Sequence, residues 1–252
     1  TQNHTVGING GSENSIYAMS LNYSNQEGIV GNKEKSGFES VKFRVNTEHD
    51  IFDGVLKVGE HMTFVMSETA GIGVGNQYNN SLRSAFNTSP LTPVYGNNYF
   101  GWGDENGVWN DSGYDPATSW NVYDGNPYAS MMLGRSLTKN TNISGDVYAE
   151  LSPLKNLRIR STFGISYYGS RGHSIGFPSR WNAYSAIPSE DNPSDYYASV
   201  SQNLSEGISY SWINTAQYDF SLDNNNFSVM AGTEYDSNEG EWMYGNNKIE
   251  VE

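Results

Sequence analysis

Residues 157–168, LRIRSTFGISYY, alternate along their whole length. Leu157, Ile159, Phe163, Ile165 and Tyr167 fall on one side of an extended chain. Arg158, Arg160, Thr162, Gly164, Ser166 and Tyr168 fall on the other. A period of two predicts a β-strand with one apolar and one polar face. The segment is long, because strands in soluble domains usually run about five or six residues.

The same alternation recurs in pairs. Residues 4–9 and 15–24 come first, the second with Tyr17, Met19, Leu21 and Tyr23 on one face. Residues 38–46 set Val41, Phe43 and Val45 against Lys42, Arg44 and Asn46. Residues 55–67 carry Leu56, Val58, Met62, Phe64 and Met66 on one side. Residues 142–151 set Ile143, Val147, Ala149 and Leu151 against Ser144, Asp146, Tyr148 and Glu150, and lead into 157–168. Residues 208–222 and 227–235 close the series, with Ala216, Tyr218 and Val229 on the apolar side.

This makes eight strands in four hairpins. Short connections at 10–14, 49–54, 152–156 and 223–226 alternate with long ones at 25–37, 68–141 and 169–207. A loop of about seventy residues is unusual inside a compact soluble domain. Short turns on one rim and long loops on the other suit an antiparallel up-and-down transmembrane β-barrel, with periplasmic turns and extracellular loops. The apolar face would then meet lipid and the polar face a watery lumen. The expected lumen-lining residues are Lys42, Arg44, Glu150, Arg158 and Arg160. Tyr and Trp near the strand ends suit the headgroup layer. The alternative is a soluble, secreted two-sheet sandwich that binds carbohydrate; detergent dependence of the folded protein separates the two.

Composition narrows the picture. The 252 residues are rich in Tyr (18) and Gly (27). Mean hydropathy is negative, but a membrane barrel needs only alternate strand residues to be apolar. Net charge is −14, which argues against nucleic acid as a partner. Cys is absent, so disulfides, thiolate metal sites and a Cys nucleophile are excluded. No apolar run approaches the roughly 20 residues of a transmembrane helix. The sequence opens in what reads as a strand at 4–9 without a signal-peptide pattern, so the expectation is either a mature protein starting here or a piece of something larger.

Three further stretches carry a resemblance. INGGSENSIYAMSLNYSNQEGIV (8–30), VLKVGEHMTFVMS (55–67) and LRSAFNTSPLTPVYGNNYFG (82–101) are similar to barrel segments of the SusC/RagA family of TonB-dependent outer-membrane transporters. DVYAELSPLKNLRIRSTFGISYY (146–168) and SWINTAQYDFSLDNNNFSVMAGTEY (211–235) match in order and spacing, so the resemblance covers almost the whole chain. It implies a cell outer-membrane location and import of glycans or peptides. It also implies a SusD-like surface lipoprotein, TonB acting through a plug, and outer-membrane lipid as partners. Family members are about four times longer, with ~22 strands around the plug. Plug, signal peptide and a terminal aromatic are absent from 1–252, so the expectation is an internal barrel segment.

The chemistry-bearing residues point away from catalysis. His4, His49, His61 and His173 lack metal-ligand spacing, and His61 falls on the polar face of its strand. Residues 71–75, GIGVG, resemble a phosphate loop but lack the helix and acidic residue that should follow. Residues 104–115 are rich in oxygen ligands, yet the EF-hand calcium spacing is missing, and the stretch reads as a solvated loop. Asn22 and Asn142 begin glycosylation sequons but lie in strands. No catalytic group, cofactor or metal is expected. The richest functional feature is aromatic density in the 68–141 loop: Tyr95, Tyr99, Phe100, Trp102, Trp109, Tyr114, Trp120, Tyr123 and Tyr128. Such rings stack on sugars or build a protein interface, so Tyr95, Tyr99, Trp102, Trp109, Tyr114, Trp120 and Tyr123 are the expected substrate- or lid-binding residues. A small core of the loop's own is the other use for them.

Overall fold

The computed structural model describes residues 1–31, 34–72, 80–87, 131, 134–176 and 197–250. They form one eight-stranded antiparallel sheet in which each strand pairs with its neighbour in sequence. The strands are β1 (Gln2–Ser12), β2 (Ser15–Glu27), β3 (Gly37–Ile51), β4 (Leu56–Ala70), β5 (Gly134–Leu154), β6 (Leu157–Gly176), β7 (Tyr197–Leu222) and β8 (Asn225–Glu250). A helix, α1 (Ser81–Asn87), lies between β4 and β5. The order is up-and-down, with no crossover.

Register settles the faces. Val6, Leu21, Phe43, Phe64, Ile143, Tyr167 and Ile208 pair in one continuous row from β1 to β7. The adjacent row runs Gly7, Ser20, Arg44, Thr63, Ser144, Ser166, Ser209 and Asn238. Neighbouring rows point to opposite faces, so the alternation read from the sequence holds across the sheet. A slip of one residue in any strand would invert its set.

Among the described residues nothing covers the apolar face. Phe163 is 43% and Val147 54% exposed. Among the described residues only Val45 and Tyr148 are buried members of a hydrophobic core. A soluble chain of this size would bury most of its apolar surface. A single sheet with an uncovered apolar face excludes the two-sheet sandwich. On β6 the apolar residues run from Leu157 to Tyr167. At about 3.3 Å per residue and a tilt of about 40°, that rises about 25 Å, the height of an outer-membrane apolar band. Lipid is the missing layer.

Tight turns close the short rim. Between β3 and β4, Phe52, Asp53 and Gly54 have φ of 56°, 53° and 82°, a left-handed run that Gly and Asp tolerate best. Between β7 and β8, Asp223 has φ 53°. At the other rim the strands outrun the sequence reading. β5 begins at Gly134, β6 ends at Gly176, β7 begins at Tyr197 and β8 ends at Glu250. The expected 68–141 and 169–207 connections therefore shrink to 71–133 and 177–196. Above the lipid a strand no longer needs an apolar face, so pairing continues where alternation fades. α1 was not anticipated. Asn80 caps it, its side-chain Oδ1 accepting from the Arg83 amide at 3.0 Å.

β1 and β8 lie at opposite edges of the sheet. Their outer backbone groups need partners, because each unsatisfied group in hydrocarbon costs several kcal/mol. Residues 1–252 refolded alone in detergent are therefore expected to lack heat-modifiable migration on gels; a compact, heat-modifiable species would count against this. In the full-length barrel, Val147→Arg should cost about 2–4 kcal/mol of folding stability if its site lies near the bilayer midplane. Ser144→Arg, on the polar face of the same strand, should stay near the parent. Urea unfolding in liposomes distinguishes these outcomes.

Candidate functional site

The polar face carries the organised chemistry, in three tiers. Nearest the short turns is a charged network. Lys57 pairs with Glu48 at 2.9 Å, and the Tyr148 hydroxyl donates to the other Glu48 oxygen at 2.5 Å. The Arg160 guanidinium lies 3.7 Å from the centre of the Tyr148 ring and 3.6 Å from Glu150. Arg158 reaches Asp219 at 3.6 Å, and Gln217 donates to Asp219 and to Ser228. Register explains the assembly: Glu150 pairs with Arg160 and with Lys57, and Arg158 with Gln217.

Tyr148 is the centre of this tier. Its ring occupies the space above Gly59, where an added Cβ would meet ring atoms at 2.5 Å. His61 stacks on it with centroids 5.8 Å apart, and the His61 imidazole meets Asp146 at 3.0 Å. Among the described residues no three His, Asp or Glu side chains converge on a metal-sized point.

The middle tier is a trough of about 700 Å³ floored by short side chains, among them Thr63, Ser144, Gly164, Ser166, Ser209 and Ser211. The His61–Asp146 pair bounds one side; Asp236 and Asn238 bound the other. A surface of hydroxyls and glycine offers hydrogen bonds without bulk. The upper tier is aromatic. Trp242 and Tyr244 lie on the polar face of β8, paired with Ser205 and Asn203, and are 79% and 57% exposed. Trp242 stands three residues beyond Glu239, which ends the row of Phe43, Ile143 and Ile208. These two rings were missed from the sequence because β8 was expected to stop at 235. Their even-numbered spacing, continued from Met230, was the signal.

The expected lumen residues divide. Glu150, Arg158 and Arg160 join the lower network. Lys42 and Arg44 share its face but, among the described residues, make no ion pair; Arg44 pairs with Ser20 and Thr63. The expected aromatic residues Tyr95, Tyr99, Trp102, Trp109, Tyr114, Trp120 and Tyr123 lie outside the described residues, as does the 104–115 stretch.

No protein-family model matches the chain. Over 171 residues, 67% of its length, it is 33% identical to TonB-dependent receptor P26 of Formosa agariphila, of which it spans 15%. With one lipid-facing sheet already in place, that identity decides the family. The chain belongs to the TonB-dependent receptors, which are outer-membrane proteins. Its fold is that of the SusC/RagA type. Structures of the RagAB peptide importer in the open-open and closed-closed states match 98% of the chain, at TM-scores of 0.66 and 0.63 and identities of 22% and 20%. The chain spans 25% of each of those chains.

In a TonB-dependent barrel the Tyr148 cluster has a testable rigidity. Gly164→Ala should be tolerated, since the Ser211 hydroxyl that an added Cβ would meet at 2.6 Å can rotate away. Gly59→Ala must displace a ring held by Glu48 and Arg160, and should cost about 1–3 kcal/mol. Equal unfolding midpoints for the two variants in liposomes would show that the ring is not fixed.

Proposed function

We propose that this chain supplies barrel wall, lumen lining and extracellular loop to a TonB-dependent importer of peptides or oligosaccharides. The single observation that carries the reading is the division of the sheet into an uncovered apolar face and an organised polar one. Nothing covalent happens to the substrate. Substrate is captured at the long-loop rim under a surface lipoprotein, and passage is driven through TonB and a plug in the lumen.

The tiers assign the tasks. Trp242 and Tyr244, with Trp102, Trp109 and Trp120 of the 71–133 connection, supply stacking surface at the mouth. The trough of hydroxyls lines the path below, and the free charges of Lys42 and Arg44 face it. The lower network stiffens the wall near the periplasm. The segment 71–133 has few cations, Arg83 alone against Asp104, Glu105, Asp111, Asp115 and Asp124, so capture rests on neutral groups of the ligand. Similarity to a peptide importer favours peptides; the Asn- and aromatic-rich mouth suits sugars equally well.

Stacking contributes roughly 0.5–1.5 kcal/mol per well-placed ring beyond area burial. Trp102→Ala, Trp109→Ala and Trp120→Ala combined should therefore cut uptake or lipoprotein association at least tenfold in the full-length transporter. Trp242→Ala with Tyr244→Ala should weaken uptake alone. Parental uptake and lipoprotein retention by correctly inserted variants would refute the capture role.

A further inference from the structure

The chain carries 14 Lys and Arg against 28 Asp and Glu, yet several of its cations gather at one place on the lipid-facing side. Lys139 on β5 pairs with Arg171 on β6, and Leu137 between Lys139 and Arg135 pairs with His173. All four basic side chains have the parity of Ile143 and Tyr167, so they share the apolar face, and all are exposed. Lys35 joins them from the 28–36 loop, its ammonium donating to the Gly134 carbonyl at 2.8 Å. Burial and the nearby Arg135 both push the Lys35 ammonium below its usual range. The polar face of the same stretch bears only Ser136, Thr138, Asn140, Ser170, Gly172 and Ser174.

Height fixes the environment. Lys139 and Arg171 stand four residues above Ile143 and Tyr167, which places them about 10 Å above the hydrocarbon edge for a tilted strand. That is the headgroup layer of the outer leaflet. The stripe is two strands wide, about 10 Å, with Glu39 and Glu68 to one side and Glu206 to the other. A groove of about 480 Å³ lies at the level of Lys139, Arg171 and Leu204 and reaches down to Met66 and Tyr167, with Glu39, Glu68 and Glu206 in its walls. Arg171 is braced: with the Gln202 amide in its satisfied orientation, Nε and Nη2 both donate to the side-chain oxygen at 3.0 Å. Lys139 holds Glu68 at 2.9 Å with both side chains exposed, a pair that contributes little and exchanges readily.

We propose that this stripe binds the phosphorylated headgroup of an outer-leaflet lipid, whose acyl chains descend the groove along Met66 and Tyr167. Positive charge above an apolar wall matches an amphiphile with an anionic head and rejects a free anion, which would gain nothing from the wall. The acidic flanks confine the site to one headgroup and exclude a continuous anionic belt. Such a lipid would bridge β5 and β6 at the base of the loops that follow and precede them.

The test uses the full-length transporter in detergent, titrated with diphosphoryl lipid A and read by native mass spectrometry. Each cation near an anionic surface is worth about fivefold in affinity. Arg135→Gln, Lys139→Gln and Arg171→Gln combined should weaken lipid A binding at least about tenfold, while heat-modifiable migration stays parental. Glu68→Gln frees Lys139 and should tighten binding about twofold; it also decides the matter if the triple variant fails to assemble. Millimolar inorganic phosphate should not displace the lipid. Parental affinity in an assembled triple variant overturns the proposal. So does unchanged or weaker binding by Glu68→Gln, or displacement by phosphate, which would mark a site for soluble anions.

Discussion

Backbone hydrogen bonding without water is the constraint from which the rest of this structure follows. In hydrocarbon every amide and carbonyl must find a partner within the protein. A strand can do so only through its neighbours, so the sheet is continuous from β1 to β8 and joins strands in their order along the chain. Once pairing is obligatory, side chains are free to answer two different solvents, one on each face. The result is a wall whose stability lies in its ladders rather than in a core.

That constraint also explains what the sequence disclosed. Within the bilayer, lipid enforces apolar residues at every second position, and the signal is clean: Phe43 with Arg44, Phe163 with Gly164, Val147 with Asp146. The eight strands, their order and their facing were all readable from it. Above the lipid the enforcement ends. Residues 134–141 and 169–176 pair as regularly as the rest, but on the outer face only Leu137 and Ile175 remain apolar among Arg, Lys, His, Thr and Gly, and a period-two search stops short. The same truncation hid Trp242 and Tyr244. Helix α1 was hidden for another reason: seven residues are too few for a 3.6-residue period to declare itself, and only the Asn80 cap marks its start.

The candidate site was legible to different depths. Polar-face membership of Lys42, Arg44, Glu150, Arg158 and Arg160 followed from parity. Their partnerships did not, because cross-strand register joins residues far apart in sequence: Glu48 with Tyr148, and Arg158 with Asp219. The network also depends on a void. Gly59 has no side chain, and Tyr148 fills the space; a glycine in a strand signals close approach without naming what approaches.

The two faces divide charge as well as polarity. On the inner face cations and carboxylates interlock, as Glu48–Lys57, Glu150–Arg160 and Arg158–Asp219 do, and their fields largely cancel at short range. On the outer face the rim sets like charges side by side, Glu39 with Glu68 and Lys139 with Arg171 in one register row, joined at their boundary by the Lys139–Glu68 pair at 2.9 Å. Interlocked charge suits a wall that must hold its shape against water on one side. Like charges side by side leave a local field beyond that one pair, and the proposed lipid site draws on it. The same alternation that sorts apolar from polar residues thus lets one sheet carry two different electrostatic surfaces, one on each face.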